Sequence, residues 1–230
     1  EVVVVHVALA RLGRERVELL LHAEHVQRGD AQDLGLAALE QRAVLREIGQ
    51  QMVVHADPDV VAAAPRVGVE EAARITREAA DTGTYMHAIL EHWVKNEEYT
   101  GQSSKQSQYM AEVVKQNVEP HLDEVWGSEV NLCYPGLYAG TTDLVGVWKG
   151  QSAIMDFKQT NKPKKREWID DYFMQAAAYA MAHNELYETK IENAAIFMCS
   201  RDLEWQLFEV GPEEFKFGET KWAERVAEYY

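Results

Sequence analysis

Apolar positions recur every three to four residues in some stretches of the chain and every two in others, and the switch between these periods separates predicted helices from predicted strands. Residues 69–80, VEEAARITREAA, predict a helix with acidic residues in its first turn, where the helix dipole favours them. Asp81 or Thr82 then caps a second predicted helix that runs to about residue 98, with Met86, Leu90 and Val94 as its i, i+4 apolar stripe. A polar loop over 101–107 leads to a third helix over 108–125, which points Met110, Val114 and Val118 inward and is bent or interrupted near Pro120. Beyond it the period shortens. Residues 129–134 predict the first strand, Pro135-Gly136 a turn, and the apolar, β-branched runs 144–148 and 152–157 flank Lys149-Gly150 as a tight hairpin. A helix over 169–183, strands over 193–199 and 205–210, and a closing helix over 212–230 complete the pattern. This order predicts an α/β domain with a central mixed sheet flanked by helices.

Composition sets the N-terminal stretch apart. Residues 1–65 contain no Lys, Asn, Ser, Thr, Cys, Phe, Tyr or Trp. A folded segment of that length normally contains several of these types, so the stretch points to an unusual origin, such as a fused or frame-shifted reading, and is assigned no function. Within it, 2–8 reads as a strand, and 31–48, with Leu34, Leu36, Leu39 and Leu45, is loosely compatible with a helix. His22 and His25 lie three apart and fit an exposed helix face better than a metal pair. The expected division is therefore 1–65 and 66–230.

The 230 residues suffice for one domain with a substantial core, with or without an appendage. No apolar run reaches the ~18 residues of a membrane span, and no secretory signal is evident, so an intracellular, cytoplasmic protein is expected. The formal net charge of -15 argues against binding nucleic acid through a broad positive field. Any such site must be local.

The hairpin concentrates the candidate chemistry. With the turn centred on Lys149-Gly150, Trp148 faces Gln151, Val147 faces Ser152, and Asp143 faces Asp156. Facing strand residues have Cβ atoms about 5 Å apart, and two carboxylates at that distance repel by on the order of 3 kcal/mol at an effective dielectric of ~20. The strand period places Lys158 on the same face as Asp156. Carboxylate oxygens suit Mg²⁺ or Mn²⁺. A plain Asp156–Lys158 ion pair on a solvated strand is the alternative, and the register match to Asp143 weighs toward a metal site.

Asp143 followed by Asp156-Phe157-Lys158 resembles the split signature of the PD-(D/E)xK nucleases. Upstream, Gly83-Thr84-Tyr85-Met86-His87 matches G-T-x-x-H, and downstream Gln175-Ala176-Ala177-Ala178-Tyr179 matches Q-x-x-x-Y. In this order and spacing these motifs resemble the RecB-like exonuclease branch, that of the mitochondrial genome maintenance exonucleases and their phage-encoded relatives. The resemblance implies a restriction-endonuclease-like core over 66–230 and a metal-dependent exodeoxyribonuclease acting on single-stranded or flapped DNA ends in phage or bacterial recombination, replication or repair. It implies Asp143, Asp156 and Lys158 as catalytic, with His87, Asp143, Asp156 and the Phe157 carbonyl holding Mg²⁺ or Mn²⁺. It also implies that Gln175 and Tyr179 contact the substrate or order the site. It does not reach residues 1–65.

Several neighbours remain two-sided on sequence alone. His87 and Glu91 share a helix face, which fits an ordinary His–Glu pair as well as a metal ligand backed by an acid. Glu129 is either an edge-strand charge or, as the resemblance implies, the acidic residue often found on the first strand of this family. Arg74 and Arg77 share a face that suits solvent better than phosphate. Lys162, Lys164, Lys165 and Arg166 form the concentrated basic run of an acidic chain and, beside the D-x-K, suit a phosphate-binding edge, with Trp168 and Tyr172 able to stack on bases. The two cysteines, Cys133 and Cys199, cannot ligate a four-cysteine iron–sulfur cluster, so none is expected. A structure-specific endonuclease and a non-catalytic nucleic-acid-binding subunit are the alternatives to an exonuclease. The intact Asp143, Asp156 and Lys158 argue against the second.

Overall fold

The computed structural model describes residues 69–229. The expectations for 1–65, including His22 and His25, lie outside the described residues. The elements are α1 (Val69–Val94), α2 (Lys105–Val118), β1 (Leu122–Tyr134), β2 (Tyr138–Trp148), β3 (Gln151–Thr160), α3 (Asp170–Tyr187), β4 (Ala194–Ser200), β5 (Trp205–Val210) and α4 (Pro212–Tyr229). Short 3₁₀ turns at Glu119–His121 and Arg166–Trp168 precede β1 and α3.

The five strands form one mixed sheet in the order β1-β2-β3-β4-β5. β1, β2 and β3 are an antiparallel meander, β4 joins β3 in parallel, and β5 pairs antiparallel with β4. A parallel neighbour needs a crossover, and α3 supplies it. Strand parity then divides the core. Leu144, Met155, Phe157 and Phe197 pack with Met86, Leu90, Met110 and Val114 of α1 and α2. On the other face Val145, Ile154, Ile196 and Met198 pack with the alanines of α3 and with Phe215, Trp222 and Val226 of α4. The expected α/β architecture, a mixed sheet flanked by helices, is what the structure contains.

The hairpin has the expected register, with Trp148 paired to Gln151, Val147 to Ser152 and Leu144 to Met155. Lys149 (φ 48°) and Gly150 (φ 77°) both take left-handed backbone, the type I′ turn that matches strand twist. Several boundaries differ from expectation. The helices predicted over 69–80 and 81–98 are one helix, because Thr82 does not cap: its hydroxyl donates to the Glu78 carbonyl at 2.7 Å and so stays within the helix. The third helix starts earlier, at Lys105, because Ser104 and Ser107 form a reciprocal capping box. It ends at Val118, where Pro120 converts the chain to a 3₁₀ turn, and β1 begins at Leu122 rather than Glu129. None of the described helices is long and apolar enough to cross a membrane.

Candidate functional site

The β2–β3 ladder pairs as far as Leu144 and Met155, and the next facing residues are Asp143 and Asp156. There a side chain takes over from the ladder: the Phe157 N–H donates to Asp143 Oδ2 at 2.8 Å. Asp156 is 4% exposed, and Lys158 Nζ lies 2.5 Å from its Oδ2. The Lys158 ammonium is the partner of this buried oxygen. The Lys158 ammonium also sits 5.1 Å from the centre of the Tyr172 ring. Asp143, Asp156 and Lys158 are thus brought together as the sequence predicts.

His87 reaches this corner from α1, with Nδ1 3.5 Å from Asp143 Oδ2. Its ring stands edge-on to Phe157, with ring centres 6.3 Å apart. In the same G-T-x-x-H stretch, Gly83 lies over Gln159 of β3, and Tyr85 donates to Gln102.

Glu129 is the residue whose importance the sequence understated. Tyr134 pairs with Tyr138, and counting back along both strands brings Glu129 opposite Asp143, between the pairs Val130–Thr142 and Ser128–Leu144. Its φ of 51° is left-handed, a conformation that costs a non-glycine residue on the order of 1 kcal/mol. One ligand atom from each of His87, Glu129 and Asp143 lies within 4.8 Å of the others. Pro135-Gly136 signalled a turn, but the loop holds three residues, 135–137, so a two-residue turn centred there would have set Ser128 rather than Glu129 opposite Asp143. The backbone twist at Glu129 had no signal, since neither glycine nor asparagine marks it.

The electrostatics follow from burial and neighbours. Burial alone would lower the pKa of His87, but Asp143 outweighs it and the imidazole is held above its ordinary value. Burial pushes Asp143 upward, and His87, Lys158 and the Phe157 N–H reverse this, leaving it low. For Asp156 burial wins: against the opposing Lys158, and with Asp143 adding to it, the carboxyl is pushed up to about 6. Burial would lower Lys158, yet Asp156 and Asp143 hold it well above the usual lysine value. Glu129 is raised by burial and then by the charges of Asp143 and Glu91. Glu91 therefore stands beside the site, although its own carboxylate is held by Lys95 at 2.5 Å.

Gln175 and Tyr179 share a face of α3, and the Gln175 amide donates to the Tyr179 hydroxyl at 3.0 Å. Tyr179 is buried and feels the charges of Asp156 and Lys158. Its ring lies against the backbone of β2 at Gly140, where a Cβ would come within 2.6 Å of Cε1. Only glycine leaves room for the ring.

The basic run divides. Arg166 donates to Glu214 at 2.7 Å and to the Glu209 carbonyl at 3.1 Å and covers the Phe173 ring, fastening the loop to α4 and β5. The Lys164 backbone exchanges hydrogen bonds with the Gln206 side chain. Lys162 is exposed, and Lys165 lies over the ring of Trp168, which is 60% exposed. Arg74 pairs with Glu71 and Glu78 on the solvent side of α1.

The donor set fits a divalent cation: the carboxylates of Glu129 and Asp143 and the His87 imidazole converge, with the buried Asp156–Lys158 pair beside them. No family model matches the chain, and no curated protein matches it. Among solved structures, that of a candidate exonuclease from Eubacterium rectale is similar over 64% of this chain and 68% of that one, at 13% identity and a TM-score of 0.41. A likeness that distant carries no chemistry.

Proposed function

We propose that the protein is a divalent-metal-dependent DNA exonuclease that hydrolyses phosphodiester bonds at single-stranded or flapped ends, in phage or bacterial recombination, replication or repair. The observation that carries this reading is the convergence of Asp143, Asp156, Lys158 and His87 where the β2–β3 ladder opens. The motif resemblance names Asp143, Asp156, His87 and the Phe157 carbonyl as the groups that would hold Mg²⁺ or Mn²⁺. Such a cation, when bound, supplies Lewis-acid polarisation of a phosphate oxygen and a more acidic bound water.

The chain's own residues do the rest. Asp143 is kept ionised by His87, Lys158 and the Phe157 N–H and offers a fixed negative site. Lys158 is held charged by the two aspartates, and its ammonium, restrained by Asp156 and the Tyr172 ring, is placed to stabilise charge that develops on the phosphate in the transition state. Tyr179 and Gln175 line the same face and position the substrate backbone. Lys162 and Lys165 offer local positive charge on an otherwise acidic chain, and exposed Trp168 offers a surface on which an unpaired base stacks.

The test is cleavage of end-labelled single-stranded DNA by the full chain with Mg²⁺ or Mn²⁺, beside Asp156→Ala. Degradation by the wild type and none by the variant is expected. Intact DNA in both lanes rejects the reading, and cutting of circular single-stranded DNA would make the protein an endonuclease instead.

A further inference from the structure

Exposed aromatic rings away from the hairpin's open end are of two kinds. Lys165 lies over the Trp168 ring and Lys221 over the Phe217 ring, at 5.2 and 5.7 Å from the ring centres, so each of these rings carries a cation of its own. At the C-terminal end of α3 the arrangement differs. Trp126 of β1, 45% exposed, stacks on His183 with ring centres 6.3 Å apart, and His183 in turn meets the 56% exposed Tyr187 at 4.6 Å. Leu186, one turn from His183, widens the exposed apolar surface. Among the described residues no lysine or arginine lies over either outer ring. We propose that this face docks an arginine-bearing segment of a partner protein, with the guanidinium laid on the aromatic ladder beside Glu124.

The groups present fit that side chain. The Trp126 indole N–H donates to Glu124 Oε2 at 2.9 Å, which holds the carboxylate beside the ladder, and Glu124 has no ion pair among the described residues. The middle ring supplies a neutral acceptor. The Asn184 amide donates to the Ile191 carbonyl, and its oxygen accepts from the Ile191 N–H and from the Thr189 hydroxyl. That uses the single hydroxyl proton, so the 2.7 Å bond between Thr189 and His183 runs from Nδ1–H to the hydroxyl oxygen. Burial holds His183 below its ordinary pKa, so the imidazole is neutral and Nε2 keeps a lone pair, with no hydrogen bond to it from the described residues. A neutral acceptor, a carboxylate and exposed ring faces match the planar, many-donor fork of arginine better than the compact ammonium of lysine. Exposed Asp123 and Glu188 follow on the two sides, next along the chain to Glu124 and Tyr187, and the nearby Lys190 is turned to Glu192 at 3.9 Å. An acidic border of this kind repels the phosphates of a nucleic acid and an identical face on a second copy.

The experiment is a fluorescence-anisotropy titration of a short fluorescein-labelled peptide of alternating leucine and arginine with the full chain, in EDTA and at physiological salt. The same peptide with lysine in place of arginine controls for net charge. Wild type is expected to bind the arginine peptide at least about fivefold more tightly than the lysine peptide. Trp126→Ala and Tyr187→Ala are each expected to lose that preference. Tyr187→Ala, at the exposed end of α3, is expected to keep its melting temperature and so reads the face without unfolding the chain. Equal affinity for the two peptides, a preference unchanged in Tyr187→Ala, or no binding by the wild type would each overturn the assignment. Tighter binding of labelled oligothymidine than of the peptide, weakened in the same variants, would give the face to single-stranded nucleic acid instead. A wild-type dimer in sedimentation that Tyr187→Ala makes monomeric would give it to a second copy of this chain.

Discussion

The β2–β3 hairpin carries a lysine–carboxylate pair at each end, and the two pairs obey different physics. At the turn, Lys149 reaches Glu209 of β5 at 2.8 Å with the side chains 40% and 46% exposed. At the open end, Lys158 meets Asp156 at 2.5 Å with the side chains 20% and 6% exposed. A solvated pair contributes between nothing and about 1 kcal/mol. A buried pair must first lose its hydration, and a hydrophobic pair of the same shape is often as stable or more so. Stability therefore accounts for the pair at the turn and does not account for the one at the open end. The buried pair is the one on which the proposed chemistry rests.

The sharpest way to break this contrast is to remove one partner at each end. Lys158→Met strands the Asp156 carboxylate and is expected to cost on the order of 3 kcal/mol in urea unfolding, with part recovered when Asp156→Asn is added. Lys149→Met is expected to cost about 1 kcal/mol at most. Equal losses would dissolve the distinction. Gly140→Ala tests whether the open end is also tightly packed. Its Cβ meets a buried Tyr179 ring, so a loss of about 1–3 kcal/mol and a lower melting temperature are expected. Full stability in that variant would mean that the ring moves freely.

The smallest effect concerns pH. Burial pushes Glu209 upward, but hydrogen bonds from Lys149 and Trp148 outweigh it and hold the carboxyl below its usual value. The unfolded chain then binds the proton more readily, so this contribution is complete above the ordinary glutamate range near ~4.3 and fades as pH falls through the lowered value. The stability gap between Lys149→Met and wild type should accordingly be present at pH 7 and closed in strong acid, measured as the difference in urea midpoints. A gap that persists in acid would show that Lys149 acts through its stem rather than its charge.

Much of the hairpin was legible in the sequence because one local signal, Lys149-Gly150 between alternating runs, sets the whole register and with it the meeting of Asp143 and Asp156. His87 was legible only through a motif, since a histidine on a helix face says nothing about which strand it will meet. The first half of β1 was hidden because Asp123, Glu124 and Gly127 break the alternation, and the segment is a strand by virtue of the long β2 beside it. The single long α1 was hidden because Asp81 and Thr82 are good caps in isolation, and only the bond from Thr82 back to Glu78 shows that the helix continues. Glu129 was hidden twice over: the three-residue loop over 135–137 shifts its partner by one from a two-residue count, and no glycine or asparagine marks its left-handed backbone.

The irregular β1 has a second consequence, for solubility. This strand is thirteen residues long and, among the described residues, forms one border of the sheet, the kind of edge onto which another molecule's strand can dock. Its pairing slips between Leu122 and Glu124 and again between Val125 and Gly127, so the border is bent where Val125 and Trp126 are exposed. Exposed Asp123 and Glu124 sit on the same stretch and repel an identical stretch on a second copy. The strand that brings Glu129 to the site is thereby a poor template for the growth of a continuous sheet from molecule to molecule.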